Sequence, residues 1–254
     1  MLFAAIDRWR APAPPQAKVA WLSGWTYAHR GLHGANVPEN SLAAFSAAIG
    51  KGLGIECDVQ RSSDGQAIVF HDWDLDRLTG EAGPAGGYSA AQLNRIVLNG
   101  SRENIPTLAQ VLALVDGRAP LLIEVKSRNH RRVNAICLAV RRVLEGYRGH
   151  HAVMSFDPRV SHWFAVHSPH TVRGLVVTEE NGRTLIGRLR RRLAVWHAKP
   201  DFLAYDIRDL PGTFPEAQRK RGLPVLTWTV RSGELRERAA QYADAPIAEG
   251  AGLA

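Results

Sequence analysis

A (β/α)8 barrel, an α/β fold of the TIM-barrel type, is what three observations on this sequence predict. Strand-like and helix-like segments alternate along most of the chain, which implies a parallel sheet with helical crossovers. Nine strand candidates occur, one more than such a barrel needs. The second and third are separated only by Arg61-Ser62-Ser63-Asp64-Gly65-Gln66, too short for a parallel crossover of a dozen or more residues. Those two must pair as an antiparallel hairpin with Asp64-Gly65 at its turn, and setting the third aside leaves the eight parallel strands.

In chain order, the proline-rich stretch Ala11 to Pro15 predicts irregular chain, so residues 1–20 read as an N-terminal arm and 21–254 as a single barrel domain. Strands are expected at Trp25–Arg30, Gly54–Gln60, Ala67–Asp72, Leu121–Ser127, Ala152–Phe156, Val172–Val177, Phe202–Ile207, Val225–Val230 and Ala245–Ala248. Helices are expected at Ser41–Lys51, Leu108–Val115, Arg131–Tyr147, Pro158–Val166, Thr184–Ala198, Phe214–Arg221 and Glu234–Tyr242. In the first helix Leu42, Phe45 and Ile49 fall on one face, which predicts the buried side, and Asn40 and Ser41 supply cap chemistry. The stretch 73–106 is rich in Gly and Ala and has no clear period. It reads as an insertion after the His71-Asp72 hairpin, over one end of the barrel.

Composition narrows the setting. At 254 residues with 45% hydrophobic content the chain can bury one sizeable core. Its two cysteines, Cys57 and Cys137, make neither a metal-type pair nor a disulfide framework, which predicts a reducing cytoplasm. The start lacks the layout of a secretory signal, and no apolar run approaches the ~20 residues of a membrane span. A net charge of +8 suits phosphate-bearing substrates, nucleic acid or an anionic membrane surface. No aromatic-interleaved basic stretch is present, so no nucleic-acid partner is expected. The runs Arg131-Arg132, Arg141-Arg142 and Arg190-Arg191-Arg192 read as solvated outer faces of helices.

Charged residues inside apolar strands carry the chemistry. Glu56 and Asp58 are two apart, so on a strand both carboxylates share a face; Glu124 and Lys126 do the same in Leu-Leu-Ile-Glu-Val-Lys. Cys57 and Val125 between them are apolar and fit the helical layer, which turns the charges inward, toward the strand ends where barrel active sites lie. Buried charge needs a partner or a metal, and three carboxylates with a lysine form a hard, oxygen-rich site suited to Mg²⁺ or Ca²⁺. His29 and His71 end strands and suit acid–base work near neutral pH, while the Arg30 guanidinium fits two phosphate oxygens. The set describes phosphoryl transfer better than acyl transfer. Asp206 and Asp209 follow a strand and are further pocket candidates, whereas His130, His150, His151, His162, His167, His170 and His197 sit in no motif.

These residues fall into an ordered series: His29-Arg30-Gly31, Pro38-Glu39-Asn40-Ser41, Glu56-Cys57-Asp58-Val59, Asp64-Gly65, His71-Asp72, Leu78-Thr79-Gly80, Glu124-Val125-Lys126 and Trp228-Thr229-Val230. Each alone is weak; together and in this order the series resembles the glycerophosphodiester phosphodiesterase family. The resemblance implies a barrel like that of phosphatidylinositol phospholipase C, with an insertion after the His-Asp motif. It also implies Glu56, Asp58 and Glu124 as metal ligands, Arg30 and Lys126 on the phosphate, His29 and His71 as acid–base pair, Glu39 and Asn40 in support, and Trp228 against the glycerol. The implied reaction is attack of the neighbouring glycerol hydroxyl on phosphorus, through a cyclic phosphate; His29 is taken as the first base and His71 as the first acid, an order the sequence itself leaves open. Small glycerophosphodiesters are the implied substrates.

The chain departs from the pattern in the longer loop Gly31–Val37, in Arg231 where the family often has asparagine, and in Ala245-Pro246-Ile247-Ala248-Glu249-Gly250, where Glu249 is the candidate for the final carboxylate. Two rival readings remain at this level: a phosphodiesterase for lysophospholipid or phosphoinositide at a membrane surface, and a catalytically silent barrel that binds phosphate-bearing ligands.

Overall fold

Helices α1 (Leu2–Arg10) and α2 (Gln16–Val19) open the chain, separated by the irregular, proline-bearing stretch that the sequence predicts. The computed structural model describes residues 2–128, 132–180 and 182–254, so His130 and Arg131 lie outside the described residues. Helix α1 was not expected from the sequence. Its buried Asp7 accepts from Arg192 Nη1 at 2.8 Å and Trp196 Nε1 at 2.7 Å, so a single acid fastens it. The described residues fall into two compact units: Tyr27–His151, and the chain up to Thr26 with Ala152–Ala254.

In the Tyr27–His151 unit, β1 (Tyr27–Ala28) runs parallel to β2 (Gly54–Arg61), with Tyr27 opposite Gly54. A side chain on Gly54 would meet the Tyr27 ring at 2.6 Å, so the close approach requires glycine. As predicted, β2 forms an antiparallel hairpin with β3 (Ala67–Val69), pairing Val59 with Val69, and Gly65 turns at φ 87°. On its other side β2 is parallel to β4 (Leu121–Val125), with Asp58 opposite Glu124. Strand β1 is shorter than expected because Arg30 and Gly31 already turn at φ 56° and 81°. Strand β3 also stops early, at Val69: from Phe70 onward a side chain, Gln60, takes over the carbonyls.

Helix α3 (Leu42–Gly50) is capped by Ser41, whose hydroxyl accepts from Ala44 N at 3.1 Å. Asn40 is not part of the cap; its side chain is bound to Asp58. The buried face is Ala44, Phe45 and Ala48, with Leu42 and Ile49 only partly covered, so the predicted stripe is rotated by about one residue. The stretch 73–106 contains the short helix α4 (Ala90–Leu93) and a small core of its own, in which Leu75, Ala85, Leu93, Leu98 and Ile105 pack with Ile68 and Phe70 of the hairpin arm. Then follow α5 (Leu108–Val115), opened by a Thr107/Gln110 capping box, and α6 (Asn134–Leu144), whose Arg141 and Arg142 are exposed as expected.

In the other unit, β5 (His151–Ser155), β6 (Val172–Val177), β7 (Phe202–Asp206), β8 (Val225–Val230) and β9 (Ala245–Ala248) pair in succession, all parallel. Between them run α7 (Pro158–His167), α8 (Leu185–Ala198), α9 (Thr213–Lys220) and α10 (Gly233–Tyr242). Leu175, Leu203, Tyr205, Val225 and Val230 form its core with Val195 and Phe214. Only Arg190 of the Arg190–Arg192 run is a solvated outer residue. Arg191 and Arg192 instead lay their guanidinium groups over the Phe214 ring, 5.1 and 5.5 Å from its centre, because α8 turns that side toward α9. Parallel strands β1, β2 and β4 in one unit and β5 to β9 in the other make up the eight of the (β/α)8 fold, with β3 as the antiparallel extra. Among the described residues no helix is long and apolar enough to cross a membrane.

Candidate active site

Alternation on β2 puts Glu56, Asp58 and Gln60 on one face, and the register with β4 adds Glu124 beside Asp58. The carboxylates of Glu56, Asp58 and Glu124 each offer an oxygen within 4.8 Å of the others. Glu56 and Asp58 are 1% and 2% exposed, so their charges must be answered locally. Lys126 Nζ lies 3.1 Å from Glu124 Oε1 and 3.4 Å from Asp58 Oδ1. The Arg30 backbone N–H donates to Glu56 Oε2 at 3.0 Å. Asn40, held at φ 57°, donates from Nδ2 to Asp58 Oδ2 at 3.0 Å and accepts from Asp58 N at 3.1 Å.

Two nearby cations do not neutralise three buried acids, and the titration directions record the imbalance. Burial, then Asp58 and Glu124, push Glu56 well above the usual carboxylate range. Burial likewise raises Glu124 in spite of Lys126. For Asp58 burial acts upward too, but Lys126, His71, Arg30 and the Asn40 hydrogen bond outweigh it and hold the group low. Cation-free, the trio is biased toward the protonated form, most strongly at Glu56. A hard, all-oxygen donor set with one uncompensated charge is what a divalent cation such as Mg²⁺ or Ca²⁺ fits. Lys126 is raised: burial would lower it, and Glu124 and Asp58 prevail.

His29 follows β1 directly, and the turn after it needs Gly31, where a Cβ would stand 2.8 Å from Ala44 Cβ. The ring places Nε2 4.0 Å from Glu56 Oε2. His71 sits beyond β3, where Gln60 Nε2 donates to the carbonyls of Phe70, His71 and Asp72 at 2.9, 3.2 and 2.5 Å. Asp72 Oδ1 is 2.6 Å from His71 Nδ1, and since a carboxylate only accepts, Nδ1 carries the hydrogen and Nε2 points elsewhere. Burial, with Lys126 and Arg30, keeps the His71 pKa below its ordinary value although Asp58 and Asp72 pull it up. Asp72 itself is held at about 2: Arg77 and His71 overcome its burial.

Arg77 ties the rim together. It bonds Asp72 Oδ2 through Nε at 2.5 Å and Glu39 Oε1 through Nη2 at 2.7 Å, and Glu39 accepts from Arg30 Nη1 at 2.8 Å. Arg30 Nε is 3.3 Å from Asp58 Oδ2 but buried and off line for a hydrogen bond, so this guanidinium keeps an unused donor. An open cavity of about 670 Å³ adjoins His71 and Lys126, walled by Trp73, Asp74, Asp76 and Arg77 of the 73–106 stretch. His29, Arg30, Glu39, Asn40, Glu56, Asp58, His71, Glu124 and Lys126 lie in the Tyr27–His151 unit, where the contacts above bring them together, whereas Trp228, Asp206, Asp209 and Glu249 lie in the other.

In the other unit Trp228 is half-buried, donating from Nε1 to Ala204 O at 2.9 Å and meeting Phe156 edge-on at 5.3 Å. The two departures Arg231 and Glu249 pair with each other, Nε to Oε1 at 2.5 Å. Asp206 and Asp209 are occupied as well, Asp206 by Arg208 and Thr178, Asp209 by the Glu179 N–H and Arg183. Three contributors carried no assigned role in the sequence reading: Gln60, Asp72 and Arg77. Gln60 had a signal, since it continues the period-two polar face of Glu56 and Asp58. Arg77 had none, because its partner Glu39 is 38 residues away.

A model described as the glycerophosphoryl diester phosphodiesterase family matches residues 29–247. The chain is similar to the glycerophosphodiester phosphodiesterase of Bacillus altitudinis, with 38% identity over 110 residues, 41% of this chain and 44% of that protein. The match therefore spans less than half the length of that curated relative. Among solved structures, an Oleispira antarctica phosphodiesterase in complex with the product sn-glycerol-3-phosphate aligns with a TM-score of 0.78 at 23% identity, covering 89% of this chain and 93% of that one. The glycerophosphodiester phosphodiesterase of Thermotoga maritima aligns with a TM-score of 0.71 at 27% identity, covering 90% and 95%.

Proposed function

The chain belongs to the glycerophosphoryl diester phosphodiesterase family, and from that premise we propose that it hydrolyses glycerophosphodiesters to glycerol 3-phosphate and an alcohol. The observation that carries the reading is the buried Glu56–Asp58–Glu124 cluster with Lys126, Arg30 and two histidines around it. In this proposal Glu56, Asp58 and Glu124 hold Mg²⁺ or Ca²⁺, which when bound supplies positive charge for a phosphate oxygen. Arg30, with its unused Nε–H, and Lys126 bind the remaining phosphate oxygens. Trp228, its indole fixed through Ala204, offers a flat apolar wall for glycerol carbon. Glu39 and Asn40 keep Arg30 and Asp58 in place.

The proton steps balance over two half-reactions. His29 takes the proton of the glycerol 2-hydroxyl as its oxygen attacks phosphorus, and the bond from phosphorus to the alcohol breaks. His71 delivers a proton to the departing oxygen. Its burial makes the imidazolium a strong donor, and Asp72 at Nδ1 leaves Nε2 to act. Water then opens the cyclic phosphate with the roles exchanged, giving its proton to His71 while His29 returns one to the 2-oxygen. Both rings end as they began.

We read residues 21–254 as the catalytic barrel and 73–106 as an insertion beside its active-site end, which the Trp73–Arg77 wall next to His71 supports. A cytoplasmic site of action fits two core thiols, Cys57 and Cys137, kept out of disulfides. The deciding experiment is product release from glycerophosphocholine, glycerophosphoethanolamine and lysophosphatidylcholine, followed by phosphorus NMR with Mg²⁺, Ca²⁺ or EDTA. The expected result is glycerol 3-phosphate from the first two, abolished by EDTA and by His71→Ala. Activity that survives both sinks the mechanism.

A further inference from the structure

The outer side of α8 is apolar where a solvated helix should be polar. Leu185, Ile186, Leu189 and Leu193 recur at helical spacing and are 81%, 65%, 49% and 49% exposed. The opposite side is buried through Val195 and Ala198, and it is there that Arg191 and Arg192 turn in over Phe214. Arg188 and Arg190 flank the apolar stripe in solvent, and the helix carries no acidic residue at all. A run of large apolar side chains open to water, rimmed by arginine, marks an interaction surface.

We infer that this face of α8 docks on an anionic lipid surface. Leucine and isoleucine would enter the boundary between headgroups and acyl chains, with Arg188 and Arg190 on lipid phosphates, the arrangement of an interfacial helix. A second copy of the chain fits worse. A symmetric pairing through this face would bring arginine against arginine, with no carboxylate on the helix to answer it. A neighbouring element shows the same chemistry: α1, fastened to α8 through Asp7, exposes Trp9 to 74% between exposed Arg8 and Arg10. The docking face lies outside the residues assigned to catalysis and does not depend on them.

The test is co-sedimentation of the full chain with phosphatidylcholine vesicles, with and without phosphatidylglycerol. The expected result is binding only to the anionic vesicles, lost at high salt. Ile186→Asp with Leu189→Asp should weaken partitioning about tenfold or more. Arg188→Gln with Arg190→Gln should cost roughly fivefold for each arginine. Hydrolysis of a soluble diester should be unchanged in both variants. If the aspartate pair lowers the melting temperature, the exposed arginine pair carries the test alone. No binding to anionic vesicles, or binding that both variants retain, overturns the proposal. So does a sedimentation equilibrium showing a dimer that the aspartate pair converts to monomer, since the occupant would then be a second copy.

Discussion

Replacing Asn40 by alanine should be among the most damaging single changes to the stability of the Tyr27–His151 unit. Asn40 is 1% exposed and sits at φ 57°, bonded twice to Asp58. Truncation removes a hydrogen bond to a charged acceptor, about 1.5–3 kcal/mol, and strands the buried Asp58 N–H, about 1–3 kcal/mol. Forcing alanine into the left-handed region adds roughly 1 kcal/mol. The sum is about 3.5–7 kcal/mol, which at ~2–4 °C per kcal/mol for a chain of this size lowers the melting midpoint by roughly 7–28 °C. Asn40→Gly loses the same bonds but is at home at that φ, so it should be the milder variant. Thermal unfolding in EDTA, followed by circular dichroism, reads both. An alanine variant within about 1 kcal/mol of the parent, or a glycine variant worse than the alanine one, refutes the reasoning.

Three further outcomes are expected. Glu56, held above its ordinary 4.5, binds a proton in the folded, cation-free chain that the unfolded chain releases. Its contribution to stability is therefore present at low pH and lost as pH rises from about 4.5 through the raised value, by up to about 1.4 kcal/mol per pH unit. Mg²⁺ or Ca²⁺ competes with protons at this site, so calorimetry in two buffers of different ionisation heat should find protons released on binding and affinity rising with pH; affinity independent of pH contradicts the account. Asp72→Asn removes the carboxylate that orients His71 and raises its pKa. The proposed reaction should slow roughly 10- to 100-fold in kcat with little change in KM, and the limb of the pH–rate profile set by His71 should move to lower pH; an unmoved limb means Asp72 is only a surface acid.

The strand ladder was legible in the sequence because β-branched runs and period-two alternation are local signals, and Val172–Val177, Val225–Val230 and Ala245–Ala248 stand where they were expected. The hairpin followed from loop length alone. The carboxylate cluster was legible because charge in an apolar strand has few explanations. What the sequence hid is non-local. The burial of Ala44 and Ala48 in place of Leu42 and Ile49 depends on how closely α3 approaches its sheet, which side-chain size does not reveal. Asn40 looked like a cap residue because caps and carboxylate partners draw on the same amide chemistry. Arg191 and Arg192 looked solvated because nothing near them in sequence announces Phe214. Helix α1 was missed because its anchors, Arg192 and Trp196, lie more than 180 residues downstream.

Gln60 has a consequence for how such a site can diversify. One amide clasps three successive carbonyls, so His71 is moored from upstream, by the strand that also carries Glu56 and Asp58. From beyond it, Arg77 reaches back to Asp72. Chain after that arginine can change wherever it does not pack on Ile68 and Phe70 or hold Val69 through Pro106 O, and the hydrogen bonds that aim the imidazole stay in place. The width of the mouth and the placement of the histidine thus become separately heritable characters, and a lineage can explore new leaving groups while its proton chemistry stays put.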